Sequence, residues 1–197
     1  MARNKHKEGS VKAVAKAIKV VPTKLDIGCG PNKREGFHGV DSIAFKGVDS
    51  VFDVRKAPWP WKDDSISEVH CSHFLEHLNS MERVLFFNEL YRVLEKGGKA
   101  AIITPHWASN RAFGDPTHQW PPVSEMAYFY IDRGWRKANA PHIDIEHNKD
   151  GFKCDFMATW GYGMNQALLT KNQEYQSFAL SWYKEAAQDL HANLVKR

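Results

Sequence analysis

Several protein classes are excluded by what this sequence has little of. It holds three cysteines, Cys29, Cys71 and Cys154, far apart and with no CxxC pair. An odd, scattered set argues against a disulfide framework and a thiolate zinc site, and fits reduced thiols in a cytoplasm. Long apolar runs are missing: Ala100 to Thr104 is far too short to cross a bilayer. No apolar segment with a small-residue cleavage site follows the basic N-terminus, so a secretory leader is not expected. Repeats and low-complexity stretches are absent. What is present is an ordinary globular composition: 197 residues, 43% hydrophobic and 25% charged, enough for a core without staples.

The charge is unevenly placed. Lys and Arg number 27 against 23 Asp and Glu, a net +4. Residues 1–24 hold seven of the bases and one acid, so they carry +6 and the remaining body −2. The basic balance therefore belongs to an N-terminal arm. Such an arm can meet phosphates, which leaves a nucleic-acid partner open. No membrane partner is expected, and the oligomeric state is not legible.

Val11, Val14, Ala15 and Ile18 share a helical face, and Pro22 stops that helix. Residues 1–23 thus read as a basic arm with a short helix. Strands are expected at Leu25–Ile27, Phe37–Ser42, Val48–Val54, Ile66–Ser72 and Lys99–Thr104. A helix capped by Asn79 or Ser80 and ended by Gly97-Gly98 precedes the last of these. Residues 105–123 read as a long loop and 124–134 as a helix. Asp150-Gly151 suggests a hairpin between Ile143–Glu146 and Phe152–Trp160. Phe178, Trp182, Ala186 and Leu190 suggest a C-terminal amphipathic helix. The division that follows is a main domain over 24–163, with residues 164–197 a helix packed on it. Alternating strands and helices imply an α/β sheet, parallel except near one edge.

In such sheets ligands bind beyond the carboxyl ends of the strands. Asp26-Ile27-Gly28-Cys29-Gly30 ends the first strand, and its glycines permit close backbone approach and positive φ. A dinucleotide fingerprint needs a glycine where Lys33 stands, and a Walker A loop needs a Gly-Lys-Ser/Thr that is absent. The loop suits a nucleotide-like ligand without a pyrophosphate, or serves no ligand at all. Asp41, at the second strand's end, can accept both hydroxyls of a ribose or turn the chain with Ser42. Asp53 can accept from an exocyclic amine or serve a similar turn.

Leu25–Gly30, Asp41, Asp53 with Pro58-Trp-Pro-Trp61, Ser72-His-Phe-Leu-Glu-His77 and Glu89–Lys99 together resemble the class I S-adenosylmethionine-dependent methyltransferases, especially the small methyltransferase-type-11-like group. The resemblance is dense over residues 24–105. It implies a Rossmann-like, seven-stranded, mostly parallel sheet with one antiparallel strand near an edge and helices on both faces. It also implies S-adenosylmethionine as methyl donor. By motif, Asp26, Gly28 and Gly30 would line the methionine end, Asp41 would hold the ribose and Asp53 the adenine amine; Cys29, Ser42 and Val54 beside them are further cofactor-binding candidates. Ser72 would close the pocket. Two departures stand out. Asn32 occupies the place of the motif's third glycine, and only ten residues separate Gly30 from Asp41, which shortens the first helix.

The long loop offers His106, Asp115 and His118 as catalytic candidates. Histidine suits a general base at neutral pH, and Asp115 sits where it can orient His118. Trp59, Trp61, Trp107 and Trp120 could wall a ligand or simply cover the sheet. No metal is expected. His73-Phe-Leu-Glu76-His77 also matches the HxxEH zinc-protease pattern, a remote alternative that leaves Gly28, Asp41 and Asp53 unexplained. A DNA amino-methyltransferase would carry a proline pair where His70-Cys-Ser-His73 stands. The acceptor expected is a small molecule, sugar or peptide. The alternatives are RNA, or a domain that binds adenosylmethionine without transfer.

Overall fold

A computed structural model of the chain describes residues 22–197. Most of the basic arm, with the helix expected over Val11–Val20, lies outside the described residues. Seven strands form one sheet: β1 (Lys24–Ile27), β2 (His38–Asp41), β3 (Ser50–Val51), β4 (Ile66–Ser72), β5 (Leu94–Pro105), β6 (Phe156–Met164) and β7 (Ala187–Lys196). Their order is β3-β2-β1-β4-β5-β7-β6. Strands β1 to β5 pair in parallel, and β7 runs antiparallel to both neighbours, β5 and β6. The expected sheet, with one reversed strand beside an edge, is therefore present. Buried strand residues such as Leu25, Ile27, Val40, Val69, Cys71 and Ile102 make its core. Among the described residues, no helix is long and apolar enough to cross a membrane.

The helix α1 (Ser80–Val93) begins at a capping box. The Asn79 side chain accepts from the N–H groups of Met81 and Glu82, and the Glu82 carboxylate accepts from Asn79 N–H. Val84, Phe86, Phe87, Leu90 and Val93 bury its inner face. The helix ends at Leu94, ahead of Gly97-Gly98, which lie in the irregular start of β5. Trp59 and Trp61 are core residues, packed edge-on against each other and against Phe86 and Phe52, so neither walls a ligand. The Trp59 indole N–H donates to the Val54 carbonyl. Trp107 and Trp120 are exposed.

Four expectations need correction. The shortened first helix is absent: residues 28–37 form turns and contain no helix. The helix expected over 124–134 is two short helices, α3 (Glu125–Phe129) and α4 (Arg133–Asn139), and α2 (Asn110–Gly114) interrupts the long loop. The Asp150-Gly151 turn forms no hairpin. Asp144 and Phe152 meet in a single parallel bridge, and β6 pairs with β7 instead. Finally, residues 164–197 are not a helix laid on the domain. Two helices, α5 (Gln166–Leu169) and α6 (Gln173–Trp182), lead into β7, which lies inside the sheet. Of the expected apolar stripe, Phe178 and Trp182 are exposed, while Leu190 belongs to the strand. There Leu190, Ala192 and Leu194 are buried and His191 and Asn193 exposed, a period of two rather than 3.6.

Candidate active site

The carboxyl ends of β1, β2 and β3 open on one narrow cleft of about 160 Å3. Gly28, Asp41, Ser42, Asp53, Val54, Phe52, Arg55, Phe74, His77 and Leu78 line it. It adjoins β1, where the strand order reverses, the usual ligand position in an open α/β sheet. Gly28 has φ +68°, and a Cβ there would lie 2.6–2.8 Å from the Phe74 side chain. Glycine is required on both counts. Gly30 also has positive φ, and a Cβ there would meet nothing within 4 Å, so its open side is free for a ligand.

Asp41 organises this end of the sheet. One oxygen accepts from Gly30 N–H at 2.9 Å and the other from Ile43 N–H at 2.9 Å. Each carboxylate oxygen keeps a second lone pair for a ligand hydroxyl. Asp53 pairs with the Arg55 guanidinium at 2.8 and 3.1 Å. That hydrogen bonding holds the Asp53 carboxyl below the usual range against a desolvation that would raise it. Arg55 is half exposed.

Asp26 is turned inward. One oxygen accepts from Arg34 N–H at 2.7 Å, and the other meets His70 Nδ1 at 2.7 Å. It anchors the glycine loop rather than lining the cleft. Cys29, Gly30 and Ser72 are also outside it. The Cys29 sulfur packs beside Gly39, and burial pushes its thiol up to about 11. Phe74, His77 and Leu78, a few residues past Ser72, close the pocket.

A second cleft of about 370 Å3 adjoins the first and shares His77 with it. Its lining includes His73, Glu76, Arg111, Asp115 and His118. Arg83 of α1 donates to the carbonyls of Leu75, Gln119 and Pro121, and Gln119 N–H donates to the Glu76 carbonyl. The His118 loop is thereby tied to the segment after β4. Residues 73–77 do not form the α-helix that the HxxEH reading needs. His73 has φ +53°, and only Leu75–His77 make a 3-10 turn. Glu76 hydrogen-bonding raises the His73 pKa, against desolvation that lowers it.

Of the expected catalytic residues, Asp115 and His118 reach this cleft and His106 does not. His106 is 1% exposed; its Nδ1 accepts from Ala108 N–H and its Nε2 meets Glu125 at 3.1 Å. Both nitrogens are used inside the fold. Asp115 does not orient His118 either. Its nearer oxygen is 3.8 Å from His118 Nε2, and its other oxygen takes the Thr117 N–H and hydroxyl. Those bonds keep the Asp115 carboxyl below its ordinary value. The Ala112 carbonyl holds His118 through Nδ1 at 3.2 Å. Phe74, Leu78 and Arg55 were not among the expected site residues, and His77 entered only through the HxxEH alternative. The one signal for them is their position immediately after β3 and β4.

Residues 42–102, from the end of β2 into β5, match the methyltransferase domain family. That match spans under a third of the chain. The sheet order, with the cleft at its switch point, is the Rossmann-like methyltransferase fold. The chain is similar in fold to a SAM-dependent methyltransferase from Archaeoglobus fulgidus, at 21% identity and a TM-score of 0.57 over 88% of this chain and 85% of the other. It is also similar to the geranyl diphosphate C-methyltransferase of Streptomyces coelicolor A3(2), at 14% identity and a TM-score of 0.53 over 89% and 73%. That enzyme was solved with Mg2+, geranyl diphosphate and S-adenosyl-L-homocysteine. No curated protein sequence matches the chain. The residues of the first cleft fit a methyl donor of this kind. Gly28 brings bare backbone to the cleft wall, and Asp41 offers paired acceptors to a cis-diol.

Proposed function

We propose that the chain is a class I S-adenosylmethionine-dependent methyltransferase that holds the donor's adenosine in the β1–β3 cleft and an acceptor in the adjoining His73–His118 cleft. One observation carries the reading: the two clefts meet at His77, so a donor and an acceptor seated in them face each other across one side chain. The donor supplies an electrophilic methyl group on a sulfonium, and transfer needs the acceptor atom in line with it. Alignment by fixed walls can supply a large part of such catalysis.

Asp41 receives the ribose hydroxyls and Asp53 the adenine amine. The cleft is smaller than the roughly 300–1,000 Å3 of typical ligand pockets. Arg55 narrows it and occupies Asp53, so it swings outward when the donor enters. On the acceptor side, His118 donates through Nδ1 to the Ala112 carbonyl, which leaves Nε2 as the ring atom available to an acceptor. The acceptor class that the −2 body favours is a small molecule, sugar or peptide; the basic arm keeps RNA as the alternative.

Asp41→Ala is expected to weaken donor binding by about 1–3 kcal/mol, the cost of losing hydrogen bonds to a charged acceptor. Titration calorimetry with S-adenosylmethionine measures this, and unchanged affinity removes Asp41 from the site. His118→Ala is expected to keep donor binding and lose transfer. The assay is labelled-methyl transfer to separated small-molecule, RNA and protein fractions. Full transfer by the variant rejects a role for His118.

A further inference from the structure

Glu76, His77 and His118 each present one ligand-type atom, and the three atoms lie within 4.8 Å of one another. Two independent features show that these groups await something. The first is Glu76. It is 4% exposed, it lines the second cleft, and its Oε2 is buried with no hydrogen-bond partner. An unpaired carboxylate oxygen in a buried position is costly unless it meets a cation or a donor. His73 Nδ1 approaches only the other oxygen, at 3.4 Å.

The second feature is how the imidazoles are held. The Thr117 hydroxyl lies 2.7 Å from Asp115 and 3.0 Å from His77 Nδ1. The carboxylate takes the hydroxyl proton, so the hydroxyl oxygen accepts from His77 Nδ1–H. In the neutral ring that leaves the His77 lone pair on Nε2. His118 is held likewise by the Ala112 carbonyl through Nδ1, which places the lone pair of its neutral ring on Nε2. Anchoring one ring N–H to a carbonyl or to a carboxylate-linked acceptor is how proteins orient metal-binding histidines. The rings lie 4.8 Å apart, centre to centre. Arg83 and Gln119 tie both ligand-bearing segments together. The nearby Arg111 is neutralised by Asp189 at 2.8 and 2.9 Å.

We propose that Glu76, His77 and His118 bind one divalent transition-metal cation, with an open position toward the acceptor cleft. Two imidazoles and one carboxylate suit zinc, cobalt, manganese or ferrous iron better than magnesium or calcium. Metal–ligand bonds of about 2.0–2.2 Å require the three groups to draw inward on binding. This set differs from the HxxEH zinc reading: His73 is not in it, His118 is, and Glu76 is a ligand rather than a base. The open position would take an oxygen of the acceptor, which favours hydroxyl-bearing acceptors. That last step rests on the methyltransferase reading; the metal site does not.

The test is titration of the full-length protein with Co2+, followed by its visible absorption and by calorimetry, with Zn2+ as competitor. The expected result is one Co2+ per chain, displaced by Zn2+, with affinity lowered at least about tenfold in His118→Ala, His77→Ala and Glu76→Gln. Circular dichroism checks that each variant is folded. His118→Ala keeps the test decisive if the buried Glu76→Gln does not fold. Two outcomes overturn the proposal: no saturable Co2+ binding by the wild type, or folded His77→Ala and His118→Ala variants that bind as tightly as it does. S-adenosylmethionine affinity, measured in the same samples without metal, tests the donor cleft separately.

Discussion

Replacing Arg136 with methionine is expected to destabilise the fold by about 3–5 kcal/mol, the usual cost of stranding one member of a buried ion pair. Arg136 and Asp144 both have side chains with no exposure, and Arg136 Nε donates to Asp144 Oδ2 at 2.7 Å. The guanidinium also donates to the carbonyls of Tyr130 and Cys154 at 2.8 and 3.0 Å. One side chain thus joins α4, the Asp144 turn and the approach to β6. Urea denaturation measures the loss, and the melting temperature should fall by roughly 6–20 °C for a chain of this length. The double variant Arg136→Met, Asp144→Leu should recover most of it, because no charge is then left buried.

The pair also sets an acid limit. Burial alone would raise the Asp144 carboxyl, but the Glu146 N–H and the Arg136 guanidinium outweigh it and hold the carboxyl below its ordinary value. A depressed folded pKa means a contribution that is complete above the unfolded value, near 3.9, and disappears as pH falls through the folded one. In Arg136→Met this acid-side loss should vanish or reverse. A variant within about 1 kcal/mol of wild type would show that the pair does not anchor this region.

Gly28→Ala is expected to cost roughly 2–5 kcal/mol and to lower donor affinity at least about tenfold. Two terms add. An L-residue at φ +68° costs about 1–2 kcal/mol, and a methyl forced against a packed ring costs about 1–3. The added Cβ would stand 2.6–2.8 Å from Phe74, which lines the same cleft, so relaxation of the ring reshapes the pocket. Phe74→Ala removes the second term and leaves the first. In the double variant the two substitutions should therefore couple by about 1–3 kcal/mol in unfolding experiments. Strict additivity would mean that Phe74 does not bear on Gly28.

The parallel half of the sheet was legible because its strands are short apolar runs closed by glycine or aspartate, and a buried parallel strand carries that pattern locally. The same holds for α1, whose capping box and apolar face are written in adjacent residues. The C-terminal strand was not legible in the same way. Ala187–Lys196 is poor in β-branched and aromatic residues, and its helical spacing with Phe178 and Trp182 is accidental. Its identity comes from pairing on both edges with β5 and β6, partners far away in the chain. The hairpin over Asn148–Gly151 failed for a related reason: the turn residues are right, but Asp144 is committed to Arg136 and β6 to β7.

The sequence by itself determined the class of sheet and the strand-end positions of Gly28, Asp41 and Asp53, since backbone freedom and strand-end carboxylates are local properties. Only the tertiary structure decided which groups face a ligand. It turned Asp26 inward, used up both nitrogens of His106, and brought His77 and Glu76 against His118 from a separate loop. Those outcomes depend on side-chain directions and on long-range hydrogen bonds such as those of Arg83, and neither is encoded in any short stretch of sequence.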